Sequence, residues 1–324
     1  MTSAGLITTP FTATSTAAEV VAGHDLTGVR VVVTGASSGL GAETARVLAA
    51  AGAEVTLAVR DVAGGEAVAA AIADSGVSPR PRVRPLDLAD RASVRRFTDD
   101  WAGPLHLLVA NAGLVTGGLA RTPEGWELQF ATNHLGHFAL ARGLRDALAD
   151  GAADRGEARI VAVSSTAHMR AGVDFDDPHF ERRDYDPQMA YARSKTANSL
   201  FAVGATHRWA ADGVFANAVN PGGVATGLQR HFTQAQKQSL AAAEAAGIFS
   251  YKTVGQGAAT SVVAAVAPQF ARTGGHYLDD GQEAYVVSDD ADLADHPHGV
   301  KEWALDAALA DRLWALSAEL TGRA

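Results

Sequence analysis

The chain has no cysteine in its 324 residues, which excludes disulfides, thiolate metal sites and a thiol nucleophile. Lysine is scarce: Lys195, Lys237, Lys252 and Lys301 are the only four, and arginine supplies the other 23 of 27 basic side chains. Asp and Glu number 36 and the formal charge is −9, so the broad basic surface that a nucleic-acid partner requires is missing. No stretch reaches the roughly 18 uninterrupted apolar residues of a membrane span. The first 29 residues contain no Lys or Arg and no sustained apolar core. No secretory signal is therefore expected there, and a cytoplasmic location is.

What is present is 47% hydrophobic residues, enough for one large core. Residues 1–28 read as an N-terminal extension, with an irregular arm at Thr8–Thr12 and a short helix within Thr16–Gly23. Residues 29–324 read as a single domain in which short Val/Ile/Leu runs alternate with Ala-rich helical stretches, the pattern of parallel strands joined by crossover helices. Strands are expected at Val29–Thr34, Glu54–Val59, Arg82–Leu86, Leu105–Ala110, Arg159–Ser164, Phe215–Val219 and near His276–Leu278. Helices are expected at Leu40–Ala51, Ala63–Ala73, Arg91–Trp101, Glu124–Leu148, Gln188–Ala211 and, at the C-terminal end, 299–320. Right-handed crossovers make such a sheet doubly wound, with ligands at the carboxyl ends of its strands.

The segment Thr34-Gly35-Ala36-Ser37-Ser38-Gly39-Leu40-Gly41 follows the first strand and opens a helix. Its glycines allow a tight turn and close backbone approach to a pyrophosphate, and the helix-terminal N–H groups meet that charge. At the tip of the second strand a carboxylate would bind a ribose 2′-hydroxyl, but Val59 stands there, followed by Arg60 and Asp61. Arg60 could pair with a 2′-phosphate, favouring NADP over NAD. A shift of one position would give Asp61 the ribose instead.

Tyr191 and Lys195 stand four residues apart in Tyr191-Ala192-Arg193-Ser194-Lys195. A helix puts the phenol and the ammonium on one face. Tyrosine is a poor acid/base partner at its ordinary pKa near 10, and Lys195 together with the positive nicotinamide ring of an oxidised cofactor would favour the phenolate and lower that value. Lys195 could also donate to the nicotinamide ribose hydroxyls.

The glycine turn, Asn111-Ala112-Gly113 after the fourth strand, Ser164-Ser165 after the fifth and the Tyr/Lys helix, in this order, resemble the short-chain dehydrogenase/reductase family. The resemblance runs from about Val29 to Leu278. Ala58-Val59-Arg60-Asp61, Asn133-His134-Leu135-Gly136-His137-Phe138 and Ser164-Ser165-Thr166-Ala167-His168 are similar to the retinol dehydrogenase and WW-domain oxidoreductase group. The resemblance implies a Rossmann-type fold, a nicotinamide cofactor, and Tyr191 as acid/base with Lys195 as its partner. It implies Ser165 as the hydroxyl orienting the substrate and Asn133 as the residue holding a water in a proton relay. Gly35, Ser37, Ser38, Gly39, Leu40 and Gly41 would form the pyrophosphate turn. Asp87 and Leu88 would flank the adenine, Asn111, Ala112 and Gly113 would lie along the adenosine ribose, and Pro221, Gly222, Val224 and Thr226 would meet the nicotinamide and phosphates. Ser164 could replace Ser165 if the strand ended one residue earlier.

Other signals are read as structural. His134 and His137, at i,i+3 spacing, lack a Cys or Glu to complete a metal site and are expected in the core; no metal is expected. His168 is expected to line the pocket, and His296-Pro297-His298 to form a surface turn. The acidic run Asp174 to Asp186 reads as a solvated loop and part of a lid, not a hydrolytic dyad. Residues 222–252 occupy the place of a substrate lid, and Leu228, Phe232, Leu240, Ile248, Phe249 and Tyr251 would either cover an apolar ligand or pack into the core.

The expected activity is an NADP(H)-dependent interconversion of a ketone or aldehyde with an alcohol on an apolar small molecule. The alternatives are an NADP(H)-sensing regulator or scaffold, and a dehydratase or epimerase on the same fold. A homodimer could form through the two long helices Glu124–Leu148 and Gln188–Ala211.

Overall fold

The computed structural model describes residues 5–224 and 251–322. Seven parallel strands carry the fold: β1 Arg30–Thr34, β2 Glu54–Val59, β3 Arg82–Pro85, β4 Leu107–Ala110, β5 Ala158–Val163, β6 Val214–Asn220 and β7 Tyr277–Asp279. An antiparallel strand, β8 Gln282–Glu283, completes the sheet order β3-β2-β1-β4-β5-β6-β7-β8. A second, two-stranded sheet pairs β9 Val286–Val287 with β10 Val300–Lys301. Strand order reverses between β1 and β4, which opens a crevice at their carboxyl ends.

Both faces of the sheet are covered, and the side-chain alternation of a strand divides the core in two. Val31, Val33, Val55, Leu57, Val109 and Val161 pack on one side against helices α2 Gly39–Ala50, α3 Val62–Asp74 and α9 Val254–Val266. Val32, Ala58, Leu108, Ile160 and Ala216 pack on the other against α4 Arg91–Asp99, α6 Gly136–Gly143, α7 Arg145–Arg155 and α8 Pro187–Trp209. The last helix, α10 Ala307–Thr321, lies over α8 and α6, where Trp314 meets Phe138, Phe201 and Trp209. The chain itself thus covers part of the helix surface expected to pair in a homodimer.

Three expectations are corrected. The helix expected over 124–148 is broken. Glu127 caps it by accepting from Gln129 N and Phe130 N, so helix begins only at α5 Leu128–Phe130. It widens into a π-helix over Ala131–Leu135 and stops at Gly143 before α7. Residues 299–306 are not helical at their start: Val300–Lys301 is strand and Glu302–Ala304 a 3₁₀ turn, and α10 begins where Asp306 caps Leu309 N. The N-terminal arm is docked on the body of the protein. Ile7 N donates to Glu283, Thr9 exchanges bonds with Gln282 and Gly281, and α1 Ala17–Val21 packs on α9. These contacts cover a strand edge that would otherwise be exposed. The acidic loop is solvated only in part: Asp176, Asp184 and Asp186 are exposed, whereas Asp177 is buried and Arg183 bridges it to Asp174.

Candidate active site

The glycine turn leaves β1 and meets the end of β4. Gly35 adopts φ +67, and a Cβ there would fall 2.8 Å from Ala112 Cα, so only glycine permits this backbone and this approach. At Gly41 a Cβ would lie 2.6 Å from Gly35 O and 2.5 Å from Asn111 Nδ2. Asn111 holds the junction, its side chain donating to Thr34 O at 2.8 Å. Thr34 Oγ1 accepts from the backbone N–H groups of Asn111 and Ala112, both at 2.9 Å.

The N-terminus of α2 is left open. Ser38 is its N-cap and makes no side-chain capping bond, whereas Asp61, Asp90, Asp186, Thr253 and Asp306 cap their helices. Uncapped N–H groups at the end of a 12-residue helix suit an anion. Ser37, Ser38, Gly39 and Leu40 line this turn, each at least partly exposed. The residues present therefore fit a pyrophosphate.

Beside the turn, Arg60 is exposed at the end of β2 and Asp61 is committed to α3, its carboxylate accepting from Gly64 N at 3.0 Å. Asp87 and buried Leu88 follow β3, where Asp87 accepts from Ala89 N and its own N–H donates to Ser93.

Tyr191 and Lys195 lie on one face of α8, with Lys195 Nζ 5.6 Å from the centre of the phenol ring. Nζ donates to Val163 O at 2.9 Å. A Cβ on Gly113 would be 3.5 Å from both Lys195 Nζ and Asn133 Oδ1, so these two residues converge on the loop after β4. Burial pushes the Tyr191 phenol up to about 12, opposed by a hydrogen bond with Ser165. Burial also brings the Lys195 ammonium down to about 8. In the protein alone, burial thus keeps the phenol neutral at pH 7.

The two serines after β5 are distinguished by their surroundings. Ser164 is buried, donates to Lys195 O at 2.8 Å and accepts from Ser199 at 3.0 Å. Ser165 is partly exposed, accepts from Ala167 N at 3.1 Å and is the serine that lowers the Tyr191 phenol against burial. The hydroxyl beside the phenol is that of Ser165.

Asn133 sits in the π-helix, fully buried. Oδ1 accepts from Leu114 N, and Nδ2 donates to Leu114 O and to Ser194 Oγ. Its amide ties the β4 loop to α8. Pro221, Gly222 and Val224 follow β6, and Val224 pairs with Lys252 in an isolated parallel bridge. Thr226, Leu228, Phe232, Leu240, Ile248 and Phe249 lie outside the described residues.

The histidines of the long-helix segment are core residues. His134 Nε2 lies 2.7 Å from Ser317 Oγ, and burial brings His134 to about 3 and His137 to about 4. His168 is corrected from pocket lining to core. Its Nε2 accepts from Lys301 N, which leaves a proton on Nδ1 to donate to Ser165 O at 2.8 Å, with Tyr277 Oη 3.1 Å away. Residue patterns give no reason to join Tyr277 or His298 to the site. His298 closes on Asp279 at 2.6 Å, and no local spacing relates those two positions.

The comparisons decide the family. The short chain dehydrogenase profile matches residues 29–237, and a "Probable oxidoreductase" of Streptomyces lividans is 51% identical over 91% of this chain and 98% of its own. The chain belongs to the short-chain dehydrogenase/reductase family. Retinol dehydrogenase 12 of Mus musculus is 36% identical over 90% of this chain and 86% of its own. A structure titled as a putative NAD(P) dependent gluconate 5-dehydrogenase from Beutenbergia cavernae, with bound NADP, is 27% identical with a TM-score of 0.60, covering 79% of this chain and 96% of that one. This short-chain dehydrogenase/reductase is thus a nicotinamide-dependent oxidoreductase acting on a small molecule. Among the described residues, no helix is long and apolar enough to cross a membrane.

Proposed function

We propose that this enzyme reduces a ketone or aldehyde on an apolar small molecule with NADPH, and runs the reverse alcohol oxidation when concentrations demand it. The observation that carries the reading is Tyr191 and Lys195 on one face of α8, with Nζ 5.6 Å from the centre of the phenol ring, together with the uncapped N-terminus of α2. When bound, the nicotinamide supplies or accepts a hydride.

The protein's own residues then manage one proton and one developing charge. Ser165 would donate to the substrate oxygen and hold it beside the phenol. Tyr191, neutral at pH 7, would pass its proton to that oxygen as the carbonyl is reduced. Lys195 would stabilise the phenolate left behind and, in the alcohol-oxidising direction, favour the phenolate that must accept a proton. Asn133 would fix the wall of the crevice through Leu114, since its side-chain amide is already engaged by protein.

Two features favour NADPH over NADH. Asp61, the carboxylate that could bind a ribose 2′-hydroxyl, is engaged as the α3 cap, and Arg60 beside it is exposed at the strand tip. Support for an apolar substrate is the relative named a retinol dehydrogenase. A cytoplasmic site of action belongs to the same reading.

The test is nicotinamide absorbance with both cofactors against a panel of apolar ketones, aldehydes and alcohols, run with wild type and Arg60→Ala. NADPH oxidation that becomes at least about tenfold less efficient in Arg60→Ala, with NADH use unchanged, is expected. Product formed without net cofactor oxidation would favour a dehydratase or epimerase instead.

A further inference from the structure

Beyond the residues that face the crevice, a chain of hydrogen bonds joins the turns that follow β5 and β6. Asn220, at the end of β6, spends its whole side-chain amide on it. Oδ1 accepts from Thr166 N and from Gly222 N, both at 3.2 Å, while Nδ2 donates to Thr166 Oγ1 at 3.2 Å and to Asp279 Oδ1 at 2.9 Å. One amide therefore holds both the turn that carries Ser165 and the turn that carries Pro221 and Gly222.

What orients that amide is Asp279, a carboxylate 6% exposed at the end of β7. Its other oxygen takes the imidazole of His298 at 2.6 Å. The neighbouring Asp280 takes the second cation, Lys252, whose own N–H donates to Gly223 O at 2.8 Å. The Asp279 carboxylate thus lies between the Asn220 amide and the His298 imidazole, so the placement of Asn220 is coupled to the group at position 298. That group itself stands at the surface, its side chain 59% exposed.

We propose, resting on the reading above, that His298 is a positioning residue: through Asp279 and Asn220 it sets the placement of the Ser165–Thr166 turn relative to Pro221–Gly222. The charged groups facing its imidazole are Asp279 at 2.6 Å, Asp280 at 3.5 Å and, beyond Asp280, Lys252. The hydrogen bond and charge of Asp279 and the charge of Asp280 hold the imidazole pKa above its ordinary value, against burial and Lys252. The ion pair is accordingly complete below the ordinary histidine range and is lost as pH rises through the raised value.

The experiment compares wild type, His298→Ala, His298→Arg and, as a surface control, His207→Ala, whose side chain is 69% exposed. It measures kcat against pH, the NADPH dissociation constant, and hydrogen exchange at the Thr166 and Gly222 amides. His298→Ala is expected to lower kcat on the order of tenfold, as misplacement of a reacting group does, with NADPH affinity changed by less than about threefold. It should speed exchange at both amides by on the order of tenfold. His298→Arg, charged at all working pH, should restore kcat and remove the part of the pH profile that the imidazole contributes. His207→Ala should match wild type.

Unchanged exchange at both amides in His298→Ala, or unchanged kcat and pH profile, would overturn the inference. A kcat lost in His298→Ala and not restored by His298→Arg would overturn it as well. The reading beneath it fails separately: wild-type protein that turns over no carbonyl or alcohol removes the proposed reaction, while exchange at the two amides still decides whether the clamp exists.

Discussion

The Thr34 hydroxyl lies 2.8 Å from His137 Nε2 and donates to it. The direction follows from the other nitrogen: His137 Nδ1 lies 2.9 Å from the Asn133 carbonyl oxygen, which can only accept. Thr34 is thereby turned so that its oxygen accepts from Asn111 N and Ala112 N. The residue ending β1 thus connects the π-helix of Asn133 to the loop that backs the glycine turn.

Removing that hydroxyl should be felt in two places. Thr34→Val, nearly isosteric, leaves the Ala112 N–H and a buried His137 ring nitrogen without this partner, while Asn111 N keeps its bond to Val109 O, at about 1–3 kcal/mol of stability. Denaturant unfolding measures that loss, and titration with NADPH should show weaker binding because the loop backing Gly35 is released. Unchanged stability and unchanged cofactor affinity would show that the hydroxyl is dispensable.

Ser164 and Ser165 should separate by kind of effect. Ser165→Ala removes a hydrogen bond aimed at the charge developing on substrate oxygen and should lower kcat by about 10²-fold with little change in Tm. Ser164→Ala breaks buried bonds to Lys195 O and Ser199, should cost about 1 kcal/mol of stability, and should leave most of kcat. Steady-state kinetics beside thermal unfolding distinguishes the pair. The reverse pattern would assign the substrate hydroxyl to Ser164.

The Lys195 ammonium is brought down to about 8 by burial, from an ordinary 10.5. In the free enzyme kcat/KM for carbonyl reduction should therefore fall as pH rises through about 8, where Nζ loses the proton that stabilises the phenolate. Stability moves the other way. Between about 8 and 10.5 the unfolded chain binds this proton and the folded one does not, so this group's contribution to stability rises with pH. A kcat/KM profile that stays flat across that whole interval would remove the ammonium from the reaction.

Much of this architecture is legible in residue patterns. The apolar runs Val31–Val33 and Ile160–Val163 give strands buried on both faces, and the Tyr191/Lys195 spacing places both on one helix face. The errors have physical causes. Over 124–148 the periodicity is continuous, but Glu127 folds back to cap the chain and the turn at Asn133 widens, neither of which changes the apolar spacing. Ser164 and Ser165 are adjacent hydroxyls whose difference is what packs behind them. His298 meets Asp279 across 19 residues, a contact made by the fold and invisible to local pattern.

The central claim is that the Tyr191 hydroxyl delivers the proton, and Tyr191→Phe tests it most directly. The measurement is NADPH oxidation with an accepted carbonyl, alongside NADPH binding by fluorescence. Binding within about twofold of wild type and turnover lower by about 10²–10⁴ is expected, the range a positioned acid contributes. A phenylalanine variant that turns over at the wild-type rate would contradict it.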